Sequence, residues 1–504
     1  MSARLPGLLA APLAALALLA VVGAGELLAD PSVPPVPAPT PVPVVSSQLV
    51  CPAPIAQGSK VDTAVTLADA ALPGLPPAPP NSPPGEATVG ALGSGQGVDT
   101  RTLTEPGSAD GFRVQNTSVG PVVAEGTGSL APGLGADQLT RGNDGPMRGL
   151  AAQPCGPAVS DAWFIGGGSG VGHTTRLFLS NVDEEPAEVD VQLWGTAGPV
   201  DAPAARGIVV APRSRVALSV STLAPGQALV AMHMQARVGR VSPAVLDNQV
   251  DGNDPQGLEY LPMTDASRRV VLPAVLAGDG RRDLVLLCPG DDTEVAVSML
   301  TTDGAITPVG LKSVSLNAGR VKRVRVDPVT AGAVSGFVLT ADRPIVAGVH
   351  MRFAAELADT ADVAGTPALT GPAVVSGLFA TQSNALLMVA PRGPARVRLT
   401  TYGVGGTTGT TKPVTTEVSV VAGAVRVVPV VVPAGSAWAW VQVEPDPAAG
   451  PVHMVRRSSE PGTRGQLVTT TPVLPLRPVA DIPAAVYRLG ADAASAGRDG
   501  NAGE

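Results

Sequence analysis

Aromatic side chains are scarce in this 504-residue chain, at 3%, and charged residues make up only 15%. Both values are low for a cytoplasmic enzyme of this size. Lysine is nearly missing: Lys60, Lys312, Lys322 and Lys412 are the only ones. With a net charge of −8, a basic surface that coats nucleic acid is excluded. There are three cysteines, no Cys-x-x-Cys and no zinc-ligand spacing. What the chain has in excess is glycine (59) and proline (52). Each interrupts a helix at a cost of about 1 to 3 kcal/mol, so a mainly helical protein is excluded. The hydrophobic share of 44% still leaves ample material for buried cores.

One long apolar run stands at the start. Leu5–Gly25 carries no charge and follows Arg4, which suits a membrane helix with its N-terminus inside and the bulk of the chain outside. A cleavable signal peptide ending near Val22-Gly23-Ala24 is the competing reading, giving a secreted product. Prolines at 31, 34, 35, 37, 39, 41 and 43 then favour an extended stalk. In such an oxidising location Cys51 and Cys155 are expected to form a disulfide, leaving Cys288 free.

Self-similarity is the most informative pattern. Leu177-Phe178-Leu179-Ser180-Asn181, Leu284-Val285-Leu286-Leu287-Cys288-Pro289 and Leu386-Leu387-Met388-Val389-Ala390-Pro391 each open a unit. Each is followed by an alternating run, beginning at Val189, Val295 and Ala395, and then by a strand-turn-strand broken at Pro212-Arg213-Ser214, Asn317-Ala318-Gly319 or Ala422-Gly423. About seven short strands per unit predict an all-β chain of tandem immunoglobulin-like β-sandwiches. Blades of about 40–50 residues would be needed for a propeller, a poorer match to this period.

The expected layout is a transmembrane anchor or signal peptide (1–29), a Pro-rich stalk (30–44), a degenerate loop-rich β domain (45–158) and three sandwiches (159–248, 269–354, 372–458). Linkers are expected at 249–268 and 355–371, and a Pro-rich, disordered tail at 459–504. Ala162-Trp163-Phe164-Ile165-Gly166-Gly167-Gly168, Pro212-Arg213-Ser214-Arg215 and Arg343-Pro344-Ile345-Val346-Ala347 resemble a repeat of actinobacterial surface proteins. The whole is similar to an uncharacterised, membrane-tethered extracytoplasmic actinobacterial family. The resemblance implies a fold and a location but no reaction.

No catalytic or cofactor-binding set emerges. His233, His350 and His453 each precede methionine, but neighbours on a strand face opposite sides, so no metal is expected there. Asp247, Asn248, Asp251, Asn253, Asp254 and Glu259 offer oxygen ligands for Ca²⁺ without EF-hand spacing; a solvated linker is the favoured reading. The glycine run from Gly166 to Gly172 lacks a following Gly-Lys-Ser/Thr and reads as a turn. Trp438 and Trp440, two apart, share one strand face; they either fill a core or, if exposed, stack a glycan or protein partner. The expected function is a non-enzymatic, envelope-associated scaffold that presents interaction domains to envelope proteins. A cell-wall polysaccharide-binding protein is the alternative, and a hydrolase a distant third.

Overall fold

The computed structural model describes residues 39–52, 61–92, 100–114, 120–405 and 412–482. The apolar run, most of the proline stalk and the end of the tail lie outside the described residues. The chain divides into two compact units, one made of Met1–Val42 with Ala480–Glu504, the other of Pro43–Val479. In the first, the described part is residues 39–42 and 480–482, which belong to the paired strands Thr40–Pro43 and Val479–Ile482. Here the C-terminal part of the expected stalk is a strand, a pairing that proline tolerates at a sheet edge.

The second unit is almost entirely β and repeats one topology four times. In the first module, eight strands run in order: Ser46–Cys51, Val61–Asp69, Glu86–Ala91, Arg101–Leu103, Ala109–Val114, Val122–Thr127, Leu134–Gly142 and Gly149–Pro154. Numbered along the chain, they form two sheets ordered 1-6-3-4 and 5-2-7-8. Residues 161–261, 267–364 and 373–472 repeat both orders. In the third module the sixth and seventh strands are one continuous strand, Ser335–Phe353, that serves both sheets. Alternation drives this pairing: Thr293–Leu300 buries Val295, Val297 and Met299 while Glu294 and Ala296 face out.

The strand order differs from that of an immunoglobulin constant domain, whose first two strands pair in one sheet. Here strands 1 and 2 lie in opposite sheets in every module. Residues 45–158 are a full copy of the motif; their strands are harder to see in sequence because proline-rich and glycine-rich loops separate them. The expected linkers also need correction. Residues 249–268 hold the eighth strand of the second module, Asp254–Leu261, and 355–371 hold that of the third, Asp359–Ala364. The expected tail begins inside the fourth module, with Gly465–Pro472 as its last strand. Polar residues hid these strands: a strand buried among other strands can carry Thr, Asp and Glu when each finds a partner.

These eighth strands position everything else. They pack side by side in the order first, second, third, fourth and back to first, closing the modules into a ring around them. The approach is close. Gly257 adopts a φ of +142°, and a Cβ there would stand 2.6 Å from the Thr360 backbone nitrogen of the next module. Apolar seams complete the ring. Phe178 and Tyr260 meet Met147 between modules one and two, and Trp163 and Trp194 meet Val285 and Leu287 between two and three. Val271 meets Val389 between three and four, and Trp440 meets Leu139 and Leu150 where module four closes onto module one.

Candidate functional site: the ring axis and its cavity

Where four strands meet edge to edge, polar groups need partners from other modules, and the axis supplies them in layers. At the end where the eighth strands begin, the buried Arg148 side chain donates to the carbonyl oxygens of Ala358 (3.1 Å) and Gly465 (3.0 Å), tying modules one, three and four. Asp359 accepts the Val468 N–H at 2.8 Å. One layer further on, Glu259 accepts Thr469 Oγ1 (2.8 Å) and the Thr470 N–H (3.2 Å), while the Ala152 N–H donates to Thr469 Oγ1 at 3.0 Å. Burial pushes Glu259 well above the usual carboxylate range despite these donors. Burial likewise raises Asp359, to about 8, against the pull of its backbone donors and Arg148.

Charged pairs lie beside the axis. Asp137 Oδ2 accepts the Ser376 N–H (2.7 Å) and hydroxyl (2.8 Å) across the closing seam, and buried Arg456 donates to the Ser376 and Gly377 carbonyls at 2.6 Å. Burial raises Asp137, partly offset by the Arg456 charge and the Ser376 bonds. His350 Nδ1 lies 3.1 Å from Asp362. Burial pulls His350 down, but the Asp362 carboxylate outweighs it and leaves the ring above its ordinary range. His173 Nε2 lies 2.8 Å from Asp247, whose carboxyl falls below its ordinary range because the His173 charge and three side-chain hydrogen bonds outweigh burial.

At the other end of the axis the chain segments leaving the eighth strands converge around a cavity of about 1030 Å³. Each of these segments hydrogen-bonds back to the start of its own module: Gly156 to Val50, Thr264 to Trp163, Thr366 to Val271 and Leu476 to Pro372. The Cys51–Cys155 disulfide expected from the sequence forms at this rim, with 4.4 Å between Cα atoms. It joins the first strand of one sheet to the residue after the eighth strand of the other. The floor holds Tyr260, whose hydroxyl accepts Gln138 Nε2 at 3.0 Å. Three lining side chains, Ser47, Gln153 and Thr471, bury an oxygen that has no hydrogen-bond partner among the described residues. Thr471 is only 2% exposed.

The other candidates settle elsewhere. Trp438 and Trp440 are buried, Trp440 at 1% exposure, with Tyr402 stacked on Trp440 at 4.1 Å between ring centroids. They fill neither their own module's core nor a surface platform: they are the mortar of the closing seam, so neither offers a free face to a sugar. The acidic cluster is a hairpin, not a linker loop, with Asp247 and Glu259 buried opposite each other and Asp251 and Asp254 exposed at its tip. No group of three His, Cys, Asp or Glu that would hold a metal converges among the described residues. His233 stacks on Trp163 at 3.9 Å, and His453 Nδ1 lies 2.8 Å from the Thr366 carbonyl oxygen. Cys288 is free and buried, its thiol pushed up by burial. Gly166 and Gly167 turn the chain at φ of +118° and +76°. Sequence reading missed Arg148 and Arg456, and placed Glu259 in a solvated linker where the structure buries it between modules. No local signal marks them, because a charge in a strand run reads as exposed unless both faces of the strand are known to be covered.

Among the described residues no helix is long and apolar enough to cross a membrane. A family model described as "Family of unknown function (DUF5719)" matches residues 108–431, from the fifth strand of the first module to the fifth strand of the fourth. No curated protein matches the chain.

Proposed function

The chain belongs to this family of unknown function, and from that premise we propose that it is a non-enzymatic scaffold of the actinobacterial envelope, presenting a stiff extracytoplasmic ring to envelope partners. One observation carries the reading: buried ionisable side chains at and beside the axis, among them Arg148, Glu259 and Asp137, are spent on bonds between modules. Such bonds hold a shape, because a buried ion or hydrogen-bond network fixes one arrangement and penalises others. The disulfide supports an oxidising location. Leu5–Gly25 would hold the ring at the outer face of the membrane.

The test is protease shaving of intact cells that make the full chain. Exposure outside the membrane predicts that added protease removes the ring from whole cells and that the Cys51–Cys155 bridge forms without added oxidant. A reduced, protease-protected product in the cytosol would overturn the proposal. Binding of cell-wall polysaccharide is the second reading. With Trp438 and Trp440 buried, it would rest on the polar oxygens of the axial cavity.

A further inference from the structure

We propose that the axial cavity is a docking site for an extended peptide, which adds a strand to the first strand of the first module. Strand Ser46–Cys51 is the edge of its sheet, paired on one side with Val122–Thr127. On its other side Val50 exchanges both backbone hydrogen bonds with Gly156, at 2.8 and 3.2 Å. Backbone groups point to the same side at every second residue. The N–H and C=O groups of Gln48 and Ser46 therefore face the way those of Val50 do, and beyond Gly156 no strand pairs with them among the described residues. Ser46 and Gln48 both line the cavity. The existing bridge to Gly156 thus sets the register in which an incoming strand would continue.

Three further observations point to a ligand of this kind. The volume of about 1030 Å³ is at the upper end of the range of small-molecule sites, about 300–1000 Å³, and leaves room for several residues. Apolar side chains, Val374, Met263 and Leu474 among them, supply somewhat more of the lining than polar ones, which suits the alternate side chains of a strand. Thr471, Gln153 and Ser47 line the same cavity and each buries an oxygen without a hydrogen-bond partner among the described residues; a change of rotamer would turn that oxygen to a backbone or polar side chain held there. An open strand edge is a specific match for a peptide: main-chain hydrogen bonds supply affinity whatever the sequence, and the pockets between them select side chains. A glycan lacks the evenly spaced N–H and C=O groups that pair with such an edge in register. The disulfide at Cys51 keeps the edge in place next to the eighth strand.

This inference deepens the scaffold reading by naming its partner's chemistry, and its test is independent of where the protein resides. The full chain, with its disulfide intact, is mixed with a capped hexapeptide of alternating threonine and valine and, separately, with a hexamer of N-acetylglucosamine. Hydrogen exchange at the Gln48 amide is followed in each mixture. The expected result is at least tenfold slower exchange with the peptide and no change with the sugar. Gln48→Pro removes the outward donor at a position where an edge strand tolerates proline, and should weaken peptide binding at least tenfold without lowering the melting temperature. Should that variant fail to fold, Ser47→Trp, which fills the cavity from its wall, should give the same loss. Unchanged exchange with the peptide, protection by the sugar instead, or undiminished peptide binding by folded Gln48→Pro would each overturn the inference.

Discussion

At the scale of single residues, this protein is governed by buried groups whose ionisation folding resists. Asp69 is fully buried, neither of its oxygens has a partner among the described residues, and burial raises it to about 8. Asp359 is raised to about 8 as well, and Glu259 is raised in the same direction. A carboxyl that holds its proton more tightly when folded contributes stability that is lost as pH rises from its unfolded value towards its folded one. His350, also raised, acts in the same direction, because its ion pair with Asp362 is lost as pH rises through its folded value. Asp247, lowered by His173, acts oppositely and costs stability only below the usual carboxylate range. The melting temperature is therefore expected to be highest near about pH 5 and to fall towards about pH 9. Asp69→Asn should raise it by a few degrees at the alkaline end and change it little at the acid end, as thermal scans across pH would show. A double-mutant cycle checks the pair beside the cavity. Arg456→Ala leaves Asp137 buried without its counter-charge and should cost about 3–5 kcal/mol, and combining Arg456→Met with Asp137→Leu should cost less than the two single changes summed. None of these roles shows in the sequence alone, where a charge in an apolar run looks like an exposed position.

At the scale of elements, strands 1 to 7 of the second to fourth modules were largely legible, and strand 8 and most of the first module were not. The runs starting at Leu177, Leu284 and Leu386 announce themselves as apolar stretches that recur at nearly equal spacing, and they lie in the second strands of their modules. Thr469, Thr470 and Thr471, all buried in the last strand of the fourth module, give no such signal, because both faces of that strand are covered and hydrogen-bonded. The tryptophans teach the same point: the spacing of Trp438 and Trp440 correctly puts them on one face, opposite the core residues Ala439 and Val441. Which neighbour covers that face is a property of the ring. Trp440→Ala should open the closing seam and cost about 3–5 kcal/mol, measured by denaturant unfolding. The disulfide spans 104 residues, and a loop of that length predicts a loss of about 2–5 kcal/mol for the double change Cys51→Ala and Cys155→Ala.

At the scale of the whole molecule, the difference between beads on a string and a closed ring is decisive. Independent sandwiches would melt one by one, but Glu259 alone joins modules two and four, and Arg148 joins one, three and four. Residues 43–479 are expected to unfold in a single calorimetric transition, and a chain truncated after residue 368 should lose that cooperativity because two seams lose their partner. Separate transitions in the intact ring would refute the coupling. The sequence by itself determined the β class, the repeated unit and the cysteine pair, since alternation, turn residues and two cysteines that bracket one module are all read along the chain. Only the tertiary structure decided that there are four copies, that their last strands share one axis, and that a cavity opens where the connecting segments converge. Those facts depend on which surfaces of distant modules bury one another, and no local pattern of side chains records that.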